Sequence, residues 1–351
     1  MTVLKGKRLL ILLSVLMILS VLITGCATKE VATPAPAPAA PAPAPANPAP
    51  ESKYPEKSIT VLQGFAAGGG SDTLAQVTQP YLEKIVGQTF VNQYIPGATG
   101  AIAWTQLAKQ TDNDGYTISI TNTPMLMTNY IMNEEIVYNI NELDPIANVV
   151  TDPGVIVVGK DSKYNTIEEF LDDVKANPGK ITAGNSGVGG DDFFTTLIFE
   201  KASGLKFQMI PFEGDGPSWQ AAMGMKIDAS FNNLGITYPQ IAAGNLKILA
   251  IFAEERNPMV PDAPTLKELG FDVVSGSSRG YSAPKGLPEE VREKLYKAFE
   301  EMAKDPAFIK GCEDRALPID MKIGADYTKY LEEQEVKFTE IWNEVKDDYK
   351  K

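Results

Sequence analysis

GFAAGGGSD, residues 64–72, follows the short apolar run ITVLQ at 59–63 and precedes a helix-patterned segment from Thr73. A strand, a glycine loop and a helix start in that order are the first half of an α/β unit. Consecutive glycines let backbone N–H groups turn toward one point, and the helix start adds its positive dipole end. Such a junction binds an anion without a basic side chain. Lacking GK[ST] it is not a P-loop, and lacking GxGxxG it is not a dinucleotide fingerprint.

Outward from that junction, strands and helices alternate. Strands are predicted at 90–94, 116–121, 155–158, 180–183, 206–210, 229–232 and 246–252. Leu74, Val77, Tyr81, Leu82, Ile85 and Val86 recur at helical spacing, and Gly87 ends that helix. Thr166 is placed to cap a helix over Ile167, Phe170, Leu171 and Val174. Another helix begins at Asp191 or Asp192. Past Arg279 the alternation ceases, leaving amphipathic helices at 288–303 and at 327 to about 346. The apolar stripe of the last reads as core. Glycine-bearing loops at 64–72, 184–190, 213–218 and 276–280 follow strands, and ligands of open α/β folds bind outside strand carboxyl ends. Those loops define one expected cleft.

The N-terminal residues place the domain. Lys5, Lys7 and Arg8 precede an apolar run from Leu9 to Ile23, the pattern of a signal peptide over 1–25. Ile23-Thr24-Gly25-Cys26 resembles a lipobox, with Cys26 as the lipidated residue. The alternative is an ordinary signal peptide with an incidental cysteine. Residues 26–53 carry a Pro/Ala tether whose prolines favour polyproline II at about 3.1 Å per residue. The expected location is extracytoplasmic, lipid-anchored to a bacterial membrane.

Composition excludes several chemistries. The chain has 351 residues, no histidine and a net charge of −13. Without histidine there is no Ser-His-Asp triad, Cys-His dyad or HExxH zinc site. The acidic balance argues against nucleic acid and polybasic lipid binding. Once Cys26 is assigned to the anchor, Cys312 has no disulfide partner and reads as a buried helix residue. Neither a metal nor a cofactor is expected.

The candidate ligand residues follow from the loops. Gly68, Gly69 and Gly70 offer backbone approach to an anion, and Asp72 caps the helix, contacts ligand, or does both. Asn185, Ser186 and Gly187 open a second loop, and Asp215, Gly216 and Ser218 a third; Asn232 ends a strand. Asp191 and Asp192 read first as helix caps. If either faces the cleft, it would repel a trianion and favour a ligand with an amine or a bound cation. Arg279 either pairs a ligand carboxylate or bridges the lobes to one of those aspartates.

Four further elements carry a resemblance. PGATG (96–100), DGYT (114–117), IPFEGDGPSWQAAMGMKID (210–228) and PDAPT (261–265, with Glu268 and Gly270) join the first glycine loop in an order similar to the substrate-binding receptors of tripartite tricarboxylate transporters, the Bug family. The resemblance runs from Tyr54 to the last helices. It implies a two-lobed, Venus-flytrap periplasmic-binding-protein fold of type II, with residues 54–152 plus 277–351 in lobe 1 and 153–276 in lobe 2. It implies a monomeric, non-enzymatic receptor that captures a small carboxylate and delivers it to integral-membrane permease subunits. Phe65, Ala67, Gly68, Gly69 and Gly70 would hold the carboxylate, with Asp72 close by. Gly64 stands where that family usually has proline, Phe193 where histidine is common, and Glu213 where lysine is frequent. A dicarboxylate or tricarboxylate, an acidic amino acid and an aromatic acid remain open as ligands. The competing readings are a sensor for a membrane signalling partner and an extracellular enzyme on the same bilobal fold.

Overall fold

A computed structural model describes residues 53–349. The signal segment, Cys26 and most of the Pro/Ala tether lie outside the described residues. Ten strands and ten α-helices are present among those described, and no helix there is long and apolar enough to cross a membrane.

The opening unit is β1 (Ile59–Gln63), α1 (Gly70–Val86) and β2 (Phe90–Tyr94), then α2 (Ala101–Gln110), β3 (Thr117–Thr123) and α3 (Met125–Met132). A long β4 (Leu143–Gly159) follows. Next come α4 (Ile167–Ala176), β5 (Thr182–Asn185), α5 (Asp191–Ser203), β6 (Gln208–Pro211), α6 (Asp215–Met223), β7 (Ala229–Asn233), α7 (Leu234–Ala242) and β8 (Leu246–Ile251). The chain ends with β9 (Gly276–Pro284), α8 (Glu289–Met302), α9 (Pro306–Glu313), β10 (Ile319–Ile323) and α10 (Ala325–Tyr349). The strand order is β2-β1-β3-β9-β4-β7-β5-β6, with β8 and β10 also on β4. Pairing is parallel among β1, β2 and β3 and among β5, β6 and β7.

Helix ends match their residues. Gly87 takes φ 74°, and its N–H caps the Glu83 carbonyl at 2.9 Å. The Thr166 hydroxyl accepts the Glu169 N–H at 3.3 Å. Leu74, Val77 and Leu82 of α1 pack with Leu295 and Phe299 of α8 and Phe308 of α9 against one side of the sheet. Tyr327, Leu331, Phe338 and Trp342 of α10 pack with Trp104, Phe193 and Phe194, so the last apolar stripe is core as expected. Phe170, Phe199, Phe207, Phe231 and Phe252 form a third cluster. Each such large side chain contributes roughly 1.5–3 kcal/mol on burial. Cys312 is buried in α9, and burial pushes its thiol up to about 11, away from nucleophilic use.

Several expectations are corrected. The predicted strand at 155–158 is only the last part of β4, a strand of 17 residues. Its middle reads Asp152-Pro153-Gly154, ordinarily a turn signal. Here the strand changes partners: residues up to Pro153 pair with β9, and Gly154–Val157 pair with β7. The glycine-bearing segment 276–280, expected as a loop, is strand β9. Its glycines serve close packing: a Cβ on Gly280 would lie 2.3 Å from the Ala147 carbonyl, and one on Gly276 2.3 Å from that of Asp152. Helix α1 starts at Gly70 rather than Thr73, and α9 and β10 interrupt the stretch expected to hold two helices alone.

Candidate functional site

The loop after β1 is braced from inside the helix it precedes. Gly68 takes φ 84°, and its N–H donates to Asp72 Oδ2 at 2.8 Å. The Tyr94 hydroxyl donates to Asp72 Oδ1 at 2.6 Å. Asp72 thus holds the loop, and the Gly68 amide expected at the ligand is taken by that carboxylate. The amides that begin α1 have no partner within the helix. Asp72→Ala is expected to lower stability by about 1–3 kcal/mol, by stripping acceptors from three donors, Gly68 N–H, the Tyr94 hydroxyl and Gln76 Nε2; an unchanged urea midpoint would contradict this bracing.

Three helices begin at one cavity of about 390 Å³. Their N-caps are Gly69 for α1, Gly190 for α5 and Gly214 for α6. Nine of the sequence-predicted residues are on the wall: Phe65, Ala67, Gly68, Gly69, Gly70, Ser186, Asp215, Gly216 and Arg279. The others stand behind it. Asn185 Oδ1 accepts the Gly187 N–H at 3.0 Å. Asp191 Oδ2 accepts from Asn233 Nδ2 at 2.8 Å. The Ser218 hydroxyl meets that of Ser230 at 2.6 Å, and Asn232 Nδ2 donates to the Asp215 carbonyl at 3.1 Å.

Sequence reasoning missed other wall residues. Ser71 donates to Asn122 Oδ1 at 2.9 Å, and both line the cavity. Thr99 lines it with φ 51° and ψ 42°, the left-handed region that a β-branched residue avoids. Trp219 and Ser277 are also on the wall, as is Glu213, which the sequence marked only as a departure from the family's lysine. PGATG was the one sequence signal for Thr99, and Ser277 falls in the segment 276–280 expected at the cleft; Asn122 arrives by sheet pairing and carries none.

Arg279 joins the walls. Its Nη1 donates to Asp152 Oδ2 and its Nη2 to Asn233 Oδ1, both at 2.8 Å. Asp152 also accepts the Gly235 N–H at 2.8 Å. The sequence-based alternatives for Arg279 named Asp191, Asp192 or Asp215 as salt-bridge partner; the partner is Asp152, on the adjacent strand. Arg279 is 2% exposed, lines the cavity, and its Nε has no hydrogen-bond partner among the described residues. Burial works against its charge, while Asp152, then Asp215 and Asp191, hold the guanidinium protonated.

Behind the α6 wall, Asp191, Asp192 and Asp215 come together, with one oxygen from each lying within 4.8 Å of the others. Asp191 and Asp192 read first as helix caps in the sequence and Asp215 as a ligand-loop residue; the N-caps are instead Gly190 and Gly214, without side-chain cap bonds, and the trio has the donor set of a small cation site. Burial, then the charges of Asp191 and Asp215, raises Asp192 well above the carboxylate range. Burial, then Asp191, pushes Asp215 up to about 7, against the opposing pull of Arg279. Asp152 is also raised, chiefly by burial. A carboxyl raised on folding contributes stability that is full below its unfolded pKa near 4 and is lost as pH rises through about 7. Without ligand, Asp215→Asn is therefore expected to match the parent at and below about pH 4 and to exceed it by roughly 2–4 kcal/mol at pH 8. Parallel stability curves across that range would contradict the assignment.

The sequence profile of the tripartite tricarboxylate transporter family receptors matches residues 74–346. A Cupriavidus necator protein, "UPF0065 protein in gbd 5'region", is 32% identical over 257 residues, covering 73% of this chain and 77% of that protein. Among solved structures, "Structure of a periplasmic transporter" superimposes with a TM-score of 0.77 at 31% identity, covering 83% of this chain and 97% of that one. "Structure of periplasmic binding protein BugD" does so with a TM-score of 0.76 at 28% identity, covering 83% and 98%.

Proposed function

Since this chain belongs to the tripartite tricarboxylate transporter family of receptors, we propose that it captures a small organic carboxylate in the cavity at the start of α1 and presents it to integral-membrane permease subunits. The family is one of solute-binding receptors, not of enzymes. The observation that carries the reading is the pairing on one cavity of a glycine-loop helix start with a buried arginine whose Nε lacks a partner. Both are donors to an anion, and a carboxylate accepts from backbone amides and guanidinium together.

In this reading residues 54–152 with 277–351 form one lobe and 153–276 the other. β4 and β9 connect them, and closure around the ligand is the state that the permease recognises. Cys26 carries the lipid anchor, the Pro/Ala tether holds a monomeric receptor off an extracytoplasmic membrane face, and no chemistry is performed on the ligand.

A thermal-shift screen of the full chain in detergent tests this. Dicarboxylates, tricarboxylates, acidic amino acids and aromatic acids form the panel. A ligand of the native state raises the melting temperature with its concentration over Kd. A concentration-dependent rise with one class of acid is expected. No rise with any acid, from protein shown by mass spectrometry to carry no co-purified ligand, would sink the proposal.

A further inference from the structure

Helix α5 packs on two cores at once. Phe193, Phe194 and Leu197 join the cluster that holds Leu62, Trp104 and Met125 with Phe338 and Trp342 of α10. Phe199 joins a different cluster, with Phe207, Phe231 and Phe252, and the hydroxyls of Thr195 and Ser275 meet at 2.6 Å. Helical spacing permits this, because 193, 194 and 197 share one face while 195 and 199 share another.

Further contacts hold the first face. The Phe194 and Phe338 rings meet edge to face, their centroids 5.2 Å apart. Lys201 pairs with Glu344 at the surface. Just ahead of α5, the Thr128 hydroxyl of α3 donates to the Gly189 carbonyl at 2.7 Å in a buried bond. The start of α5 on the cavity is thus tied to α3 and α10, both from lobe 1, although α5 falls within residues 153–276. Carrying it away would expose Phe193, Phe194 and Leu197, each now 4% exposed or less. At about tenfold or more per side chain, such a parting occurs in on the order of one molecule in 1,000 or fewer.

Helix α6, the other helix of 153–276 that begins at the cavity, is held far less. Ser218 and Ala222 are the buried members of its nine residues, against nine buried of the 13 in α5. An element with few buried contacts moves at low cost.

We propose that the starts of α1 and α5 form one fixed cradle, latched by the aromatic face of α5 against α3 and α10, and that the cavity opens and closes by displacement of its α6 wall. This rests on the receptor reading above, in which a ligand must enter and be enclosed, and it names the wall that moves.

Spin-label distances on the full chain in detergent test it, with cysteines introduced in pairs at exposed positions. Val137 with Ala202 spans the α5 flank, and Ile102 with Met223 spans from α2 to the end of α6. Without any acid, the α5 pair is expected to give one narrow distance and the α6 pair a broader distribution. Succinate, citrate, glutamate and benzoate are then added in turn, and an acid that binds should narrow or shift the α6 pair and leave the α5 pair unmoved. Equal breadth at the two pairs without acid, both broad or both narrow, would overturn the fixed cradle, as would an acid that shifts the α5 pair. A persistent contrast between the pairs that no acid alters would count against the receptor reading and leave the latch standing. The aromatic contact is tested by thiol labelling of Leu197→Cys, with the buried Cys312 of α9 as internal reference. Adding Phe338→Ala is expected to speed labelling at 197 at least about tenfold more than at Cys312. Equal acceleration at both thiols, or none, would show that this face does not hold the flank.

Discussion

Arg279→Met is expected to lower the unfolding free energy by about 3–5 kcal/mol, because it strands a buried charge. Asp152 is fully buried, and its two bonded donors are the Arg279 guanidinium and the Gly235 amide. Without the arginine the carboxylate must take up a proton or remain unpaired, and Asn233 Oδ1 loses its donor as well. The cost should fall on β4, β7 and β9 together, since the three residues sit one on each. Adding Asp152→Asn to Arg279→Met removes the orphaned charge and should recover a large part of the loss. Urea unfolding of the four proteins, without ligand, closes the cycle. A single-variant loss below about 1 kcal/mol would show that the pair does not hold the strands.

Gly70→Val is expected to weaken carboxylate binding at least about 100-fold, near 3 kcal/mol at 25 °C. Gly70 is the first residue of α1, and its backbone would accept a side chain. The obstacle is the arginine: a Cβ there would lie 2.5 Å from Nε, 2.6 Å from Cζ and 2.7 Å from Nη2 of Arg279. Valine must push the guanidinium off Asp152 and Asn233 and occupy the space beside the helix-start amides. At Gly69 the nearest atom to an added Cβ is the Ala66 carbonyl at 3.4 Å, an ordinary contact. Gly69→Ala should therefore keep the fold and serve as the control. Titration calorimetry with whichever acid the thermal screen identifies decides between them. Equal affinities for the Gly70 variant and the parent would remove Arg279 and the α1 start from the binding site.

How far these features can be read from sequence depends on how local they are. The β1–loop–α1 junction is contiguous, so its glycines announce both the turn and the site. Helix ends at Thr166 and Gly87 are likewise set by neighbours a few residues away. The helix-start aspartates are legible one at a time, Asp191 and Asp192 as caps and Asp215 as a loop residue; their meeting is not, because Asp215 belongs to a different βα unit from Asp191 and Asp192. Arg279 reads as a functional arginine, but its partner Asp152 is hidden inside a DPG triplet that looks like a turn. That triplet is strand because β4 changes partners there, and the glycines of β9 are strand because the Ala147 and Asp152 carbonyls approach closely. Both facts belong to sheet pairing, which no local window contains. Asn122 reaches the cavity wall by the same route, whereas Ser277 lies in the segment 276–280 that the sequence already placed at the cleft, though as a loop.

The most direct test is a crystal structure of the protein grown with the acid that gives the largest thermal shift. The ligand carboxylate is predicted within hydrogen-bond distance of the amides beginning α1 and of Arg279 Nε, inside the cavity that Asp215 closes from the other side. Density for that acid elsewhere, with Arg279 Nε still unpartnered, would contradict the assignment of this cavity as the binding site.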